Sequence, residues 1–181
     1  MKKIIITLLG ILGLLSSSCS PYTLVNSSVY NNSNLSAYKT FRIVAPPEGS
    51  LPPGMNMVTY YNIAAAIREQ MVERGYVESA DSPLLVNIAL TIQKEIETAP
   101  ALPPGYYANA KVITGIYREG VLTMELVDMD RKIALYSSSV STILQPGDSQ
   151  FRNLTEIAQA VKVLFSEFPV KLLPQYLPKK Q

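Results

Sequence analysis

The sequence predicts an α+β fold. Two layers are expected: a single, mainly antiparallel sheet of four to five strands, and two helices on one of its faces. Three observations predict it. Several segments alternate apolar and polar residues with a period of two, as half-buried strands do. Two other segments each carry one apolar stripe at helical spacing. Their order along the chain is β-α-β-β-β-α, with single-faced elements throughout, which suits helices packed on one side of a sheet. Hydrophobic residues make up 48% of the 181, enough to build a core.

The first core strand is "YKTFRIVA", residues 38–45, where Phe41, Ile43 and Ala45 alternate with Thr40, Arg42 and Val44. "PPEGSLPPG" then breaks regular structure. A helix is expected from about Asn56 to Arg74, with Tyr60, Ile63, Ala64, Ile67 and Met71 on one face. Gly75 stands where a left-handed C-cap belongs. "PLLVNIALTIQKEIE", residues 83–97, sets Val86, Ile88, Leu90 and Ile92 against Asn87, Thr91 and Gln93. After a second breaker, "APALPPG", residues 106–118 read as extended. A hairpin follows, Val121 to Val127 with Ile133 to Ile143, turning at "DMDRK". The last helix runs from Leu154 to Phe168. Asn153 caps it and Glu156 stands at the third position, as in a capping box. Its expected buried stripe is Leu154, Ile157, Val161, Leu164 and Phe168.

Ahead of this domain the chain is different in kind. Lys2 and Lys3 precede "IIITLLGILGLL", and three serines lead into Cys19, the sole cysteine. The apolar run is short for a membrane span, which takes about 20 residues. The pattern resembles a lipoprotein signal peptide, in which the cysteine becomes the first mature residue and carries acyl chains. Ser16 stands where that pattern most often has leucine. The resemblance implies lipidation at Cys19 and anchoring in the outer membrane, because Ser20 replaces the aspartate that retains such proteins in the inner membrane. "SPYTLVN" has no acidic residue, which points to the periplasmic leaflet. The division expected is therefore 1–18 signal peptide, 19–37 lipidated N-terminus and flexible spacer, 38–170 domain, and 171–181 loosely ordered tail. Within the spacer, "TLVNSSVY" has the propensity of an edge strand.

Composition excludes several classes of function. Histidine is absent, so there is no Ser-His-Asp triad and no His-ligated zinc. One cysteine makes no thiolate cluster. Without Lys2 and Lys3, 14 basic residues face 14 acidic ones. Such a neutral domain lacks the footprint of a nucleic-acid binder.

"YREGVLTMELVDMDRKIALYSSSVS", residues 117–141, resembles the signature hairpin of the domain of unknown function 4136 family. "SAYKTFRI", "IREQMVERGY" and "LTEIAQAVKVLFSEFP" resemble that family's opening strand, first helix and closing helix. The similarity covers residues 22–170 in order. Val121 replaces its usual threonine, and Tyr136 stands near its usual tryptophan. The resemblance implies an envelope lipoprotein and carries no catalytic residues.

Candidate sites are few. Asp128, Asp130 and Glu125 gather near the hairpin turn. They supply too few oxygens for calcium, and turn chemistry accounts for the aspartates. "SSSVS", residues 137–141, lies near Lys132 and admits a Ser–Lys dyad, but serines along a strand usually form its solvent face. "LPPG" occurs twice, and a tyrosine pair follows each copy. Tyr61, Tyr106 and Tyr107 are the expected binding patch, on proline-stiffened loops, for an envelope protein or glycan. No cofactor and no metal are expected. The reading is a non-enzymatic binding or structural module, with the membrane as a partner through the acyl chains. The alternatives are a hydrolase on envelope material and a small lipid or sugar carrier.

Overall fold

The computed structural model describes residues 20–47, 49–51, 55–98, 113–144 and 153–177; for 93–98 and 113–118 it describes the backbone. Strand β1 (Thr23–Val29) leads through a 3-10 turn (Leu35–Ala37) to β2 (Thr40–Ile43). Helix α1 (Met57–Val72), β3 (Val77–Glu78), β4 (Leu84–Thr98), β5 (Ile113–Asp128) and β6 (Ile133–Leu144) follow. Helix α2 (Leu154–Leu164) and a 3-10 turn (Pro174–Tyr176) close the chain.

Among the described residues, six strands form one mixed sheet in the order β1-β6-β5-β4-β2-β3. The expected α+β class holds, with one strand more than the four to five expected. β4, β5 and β6 form an antiparallel meander, and β1 pairs antiparallel with β6. β2 runs parallel to both β3 and β4, so α1 is a crossover between parallel neighbours.

The two helices and the inner sheet face enclose the core. On α1 the buried residues are Tyr60, Ile63, Ala64, Ile67 and Met71, the full stripe that the spacing predicts. They meet Phe41, Leu84, Leu122, Met124 and Leu126 from the sheet. Each fully buried large side chain contributes about 1.5–3 kcal/mol. Asn56 caps α1 by accepting from the Thr59 N–H at 2.8 Å, and Asn153 caps α2 by accepting from Glu156 at 2.9 Å. Gly75 has φ +90°. The Tyr76 N–H reaches back to the Met71 carbonyl at 3.2 Å, which closes the helix end as expected.

Four details differ from the sequence reading. Residues 20–37 are not a flexible spacer: besides the edge strand that "TLVNSSVY" suggests, Tyr22 is buried at 8% exposure. Burial of Tyr22, Leu24 and Leu35 against the core holds this segment. The tail is also pinned, since the Leu173 N–H donates to the Glu73 carbonyl at 2.9 Å. Leu154, the first residue of α2, is 65% exposed, while Ala160 and Phe165 join the buried side instead. The helix itself stops at Leu164, and Phe165 and Phe168 pack from the turn beyond.

β4 and β5 stay paired from Leu84–Asp128 to Thr98–Ile113. β6 ends at Leu144, opposite Arg118. Beyond that row the pairing of β4 with β5 continues to Thr98–Ile113, while residues 145–152, which follow β6, lie outside the described residues.

Candidate functional site

The strongest candidate lies where the β1–β2 connection meets the β5–β6 turn. β1 ends in a tight reversal at Asn31 and Asn32, with φ +53° and +50°. The Ser33 N–H closes it on the Tyr30 carbonyl at 3.0 Å. Two successive left-handed residues suit asparagine, whose short amide tolerates that region. Asn34 then caps the 3-10 turn, accepting from the Ser36 N–H at 3.2 Å and its hydroxyl at 2.6 Å. Behind the turn, Tyr76 donates its hydroxyl to the Leu35 carbonyl at 2.9 Å. Burial pushes the Tyr76 pKa up to about 12.

The opposite wall is built on Asp128. One carboxylate oxygen accepts the Tyr38 hydroxyl at 2.6 Å. The other accepts the backbone N–H groups of Asp130 and Arg131, each at 3.0 Å. The Arg131 guanidinium lies 3.7 Å away. These bonds, the Tyr38 hydroxyl first, hold the Asp128 carboxyl below its ordinary value. Burial and then the bond to Asp128 raise the Tyr38 pKa. Lys132, at φ +56°, completes the turn.

Between these walls lies an open groove of about 470 Å³. Asn31, Asn32, Ser33 and Tyr38 line one side, and Asp130 and Arg131 the other. Asn31, Asn32 and Asp130 are exposed. Each asparagine amide offers both a donor and an acceptor. Asp128 is held by three hydrogen bonds, from Tyr38 and from its own turn, and so shapes the groove.

Of the expected tyrosine patch, Tyr61 is among the described residues. Tyr61, the fifth residue of α1, is 54% exposed. Its ring meets Tyr60 edge-on at 6.0 Å. Tyr60 is core and donates to the Val44 carbonyl at 2.8 Å. Tyr106, Tyr107 and Cys19 lie outside the described residues. The serine run divides as a strand must. Ser137, Ser139 and Ser141 face away from the helices, and the Thr123 and Ser139 hydroxyls share a hydrogen bond at 2.9 Å. Ser138 is fully buried and donates to the Leu164 carbonyl at 2.8 Å. Among the described residues no group of three or more acidic residues, histidines or cysteines is placed to hold a metal.

The family model for the Domain of unknown function (DUF4136) matches residues 25–170. The chain belongs to the DUF4136 family. The match starts inside β1, ends just after α2, and takes in both walls of the groove. This DUF4136 chain is also similar to a PDZ domain protein from Parabacteroides distasonis, with TM-score 0.57, 14% identity and 85% of the chain covered. It spans 36% of that protein's length, and the likeness concerns the fold alone. A PelC dodecamer subunit from Paraburkholderia phytofirmans aligns at TM-score 0.46 and 11% identity, over 80% of this chain and 96% of that one. No curated protein matches it.

The groove was not legible as a site in the sequence of this DUF4136 member. "YNNS" after an alternating segment is a turn signal of the kind that ends strands, and it marks one wall. Nothing local links it to Asp128.

Proposed function

We propose that this DUF4136 member is a lipid-anchored lipoprotein of the outer membrane, facing the periplasm. It acts by binding, without catalysis. Its ligand is a neutral envelope component rich in hydroxyl and amide groups, of which glycan is the first candidate.

The observation that carries this reading is the placement of the groove. Ser20 enters at one end of the sheet, next to Thr23. The Asn31–Asn32 turn and the Asp128 turn lie at the other end. The seven residues of β1 separate the two by ~23 Å at the usual strand rise. A chain held at Cys19 thus presents its groove away from the bilayer. Amides and a fixed tyrosine suit a ligand recognised by many weak hydrogen bonds.

Two measurements test it. The intact mass of the protein purified from membranes, with and without Cys19→Ala, reads the anchor; acyl chains on the parent and none on the variant are expected. A titration with soluble envelope glycan fragments, followed by amide NMR, reads the groove. Shifts confined to residues 31–38 and 128–133 are expected. Saturating fragments that leave those amides unmoved overturn the ligand assignment.

A further inference from the structure

The two turns that wall the groove hold their own backbone donors. The Ser33 N–H donates to the Tyr30 carbonyl and the Tyr30 N–H to the Leu135 carbonyl. The Ser36 N–H donates to Asn34, and the Asp130 and Arg131 N–H groups donate to Asp128. An extended peptide that adds to a sheet binds through a ladder of main-chain groups. Walls whose N–H groups are engaged in this way favour a ligand read by side chains.

Three side-chain amides line the groove. Among the described residues no hydrogen bond holds the Asn31 or the Asn32 amide. Asn34 accepts from Ser36 through its Oδ1, which leaves its Nδ2 as a donor. Apolar surface lies in the same groove: Ala37 is exposed, Ile133 half-buried and Leu135 buried. Tyr38 lines it too, with its ring held by the hydroxyl's bond to Asp128. The turn from Asp128 to Lys132 has two acidic and two basic residues, so it carries no net charge to attract an ionic sugar.

We propose that the groove takes an N-acetylated hexosamine of an envelope glycan. The inference deepens the glycan reading above and rests on it, and it is independent of the anchor. An acetamido group carries one N–H donor, one carbonyl acceptor and one methyl. An asparagine amide supplies the matching acceptor and donors. Ala37, Ile133 and Leu135 supply apolar surface for the methyl. The negative face of the Tyr38 ring suits the C–H groups of a pyranose. A sugar bearing hydroxyls alone sets polar groups against that apolar surface, which selects against it. The groove's volume, about 470 Å³, lies in the ~300–1,000 Å³ range of small-ligand sites.

The test compares two disaccharides on one skeleton: N,N′-diacetylchitobiose, and cellobiose, which has a hydroxyl at each acetamido position. The full chain, purified from membranes in detergent, is titrated with each, and amide NMR reads residues 31–38 and 128–133. Diacetylchitobiose is expected to shift these amides and to bind ~tenfold or more tightly than cellobiose. Asn31→Gly with Asn32→Gly keeps the left-handed turn and removes both amides. That variant is expected to lose ~tenfold or more in affinity for diacetylchitobiose. Equal affinity for the two disaccharides overturns the acetamido assignment and leaves the glycan reading standing. Shifts from neither, at saturation and with the spectrum of a folded domain, overturn the glycan reading itself. A variant that binds as the parent does overturns the role of the two amides. N-acetylalanylalanine amide is the third ligand, and binding equal to that of diacetylchitobiose overturns the sugar in favour of a peptide.

Discussion

The Tyr38 hydroxyl donates to the Asp128 carboxylate at 2.6 Å, across 90 residues of chain. This bond ties the β1–β2 connection to the β5–β6 turn. It fixes the width of the groove and joins one wall to the other.

Tyr38→Phe removes that bond and nothing else of the ring. Asp128 is held below its unfolded value, so its contribution is fully present above the ordinary carboxylate pKa of about 3.9. It is lost as pH falls through the folded value. Urea unfolding of the variant and the parent is expected to differ at pH 7, and the gap to close as the pH drops below that of ordinary carboxylates.

At alkaline pH the relevant groups are Tyr22 and Tyr76, both pushed up to about 12, chiefly by burial. A raised tyrosine favours the folded state below its unfolded pKa of about 10. That contribution drains away as pH climbs through the folded value. Stability followed by circular dichroism is expected to hold to about pH 10 and then fall. In Tyr76→Phe the fall is expected to be shallower, from a lower plateau, because the bond to the Leu35 carbonyl is gone.

Ser138→Ala leaves the Leu164 carbonyl, at the last turn of α2, without its buried donor. The expected cost is about 1–3 kcal/mol, read as a lower urea midpoint at unchanged slope. Ser139→Ala, on the other sheet face, is the control and is expected to cost about 1 kcal/mol or less. Equal losses from the two would remove the assigned role of Ser138.

Gly75→Ala forces an L side chain to φ +90°. Space is not the obstacle, since the nearest atom, Leu173 Cδ2, would lie 3.5 Å from the added carbon. The backbone conformation itself is expected to cost about 1–2 kcal/mol, measured by thermal or urea unfolding.

The helices and hairpin were legible because their signals are local. Ile63, Ile67 and Met71 repeat at helical spacing, Gly75 marks a stop, and Val86, Ile88 and Leu90 alternate. Val77 and Glu78 were not legible as a strand. Two exposed residues carry no period, and backbone pairing with Thr40 and Phe41 alone makes them β3. The parallel pairing of β2 with β4 is likewise absent from any local pattern. Leu154 misled because apolar spacing continues one residue past the helix's buried face. The groove escaped for the same reason as β3: Asn31 and Asp130 become neighbours only through a register that no short segment records.

The pairing of β1 with β6 sets an order of events. Ser27 meets Tyr136, 109 residues further along, hydroxyl to hydroxyl at 3.0 Å. Closing so long a loop costs entropy before any contact repays it. A chain delivered N-terminus first has no partner to offer β1 until β6 has emerged. The first strand to appear is thus among the last to be built in.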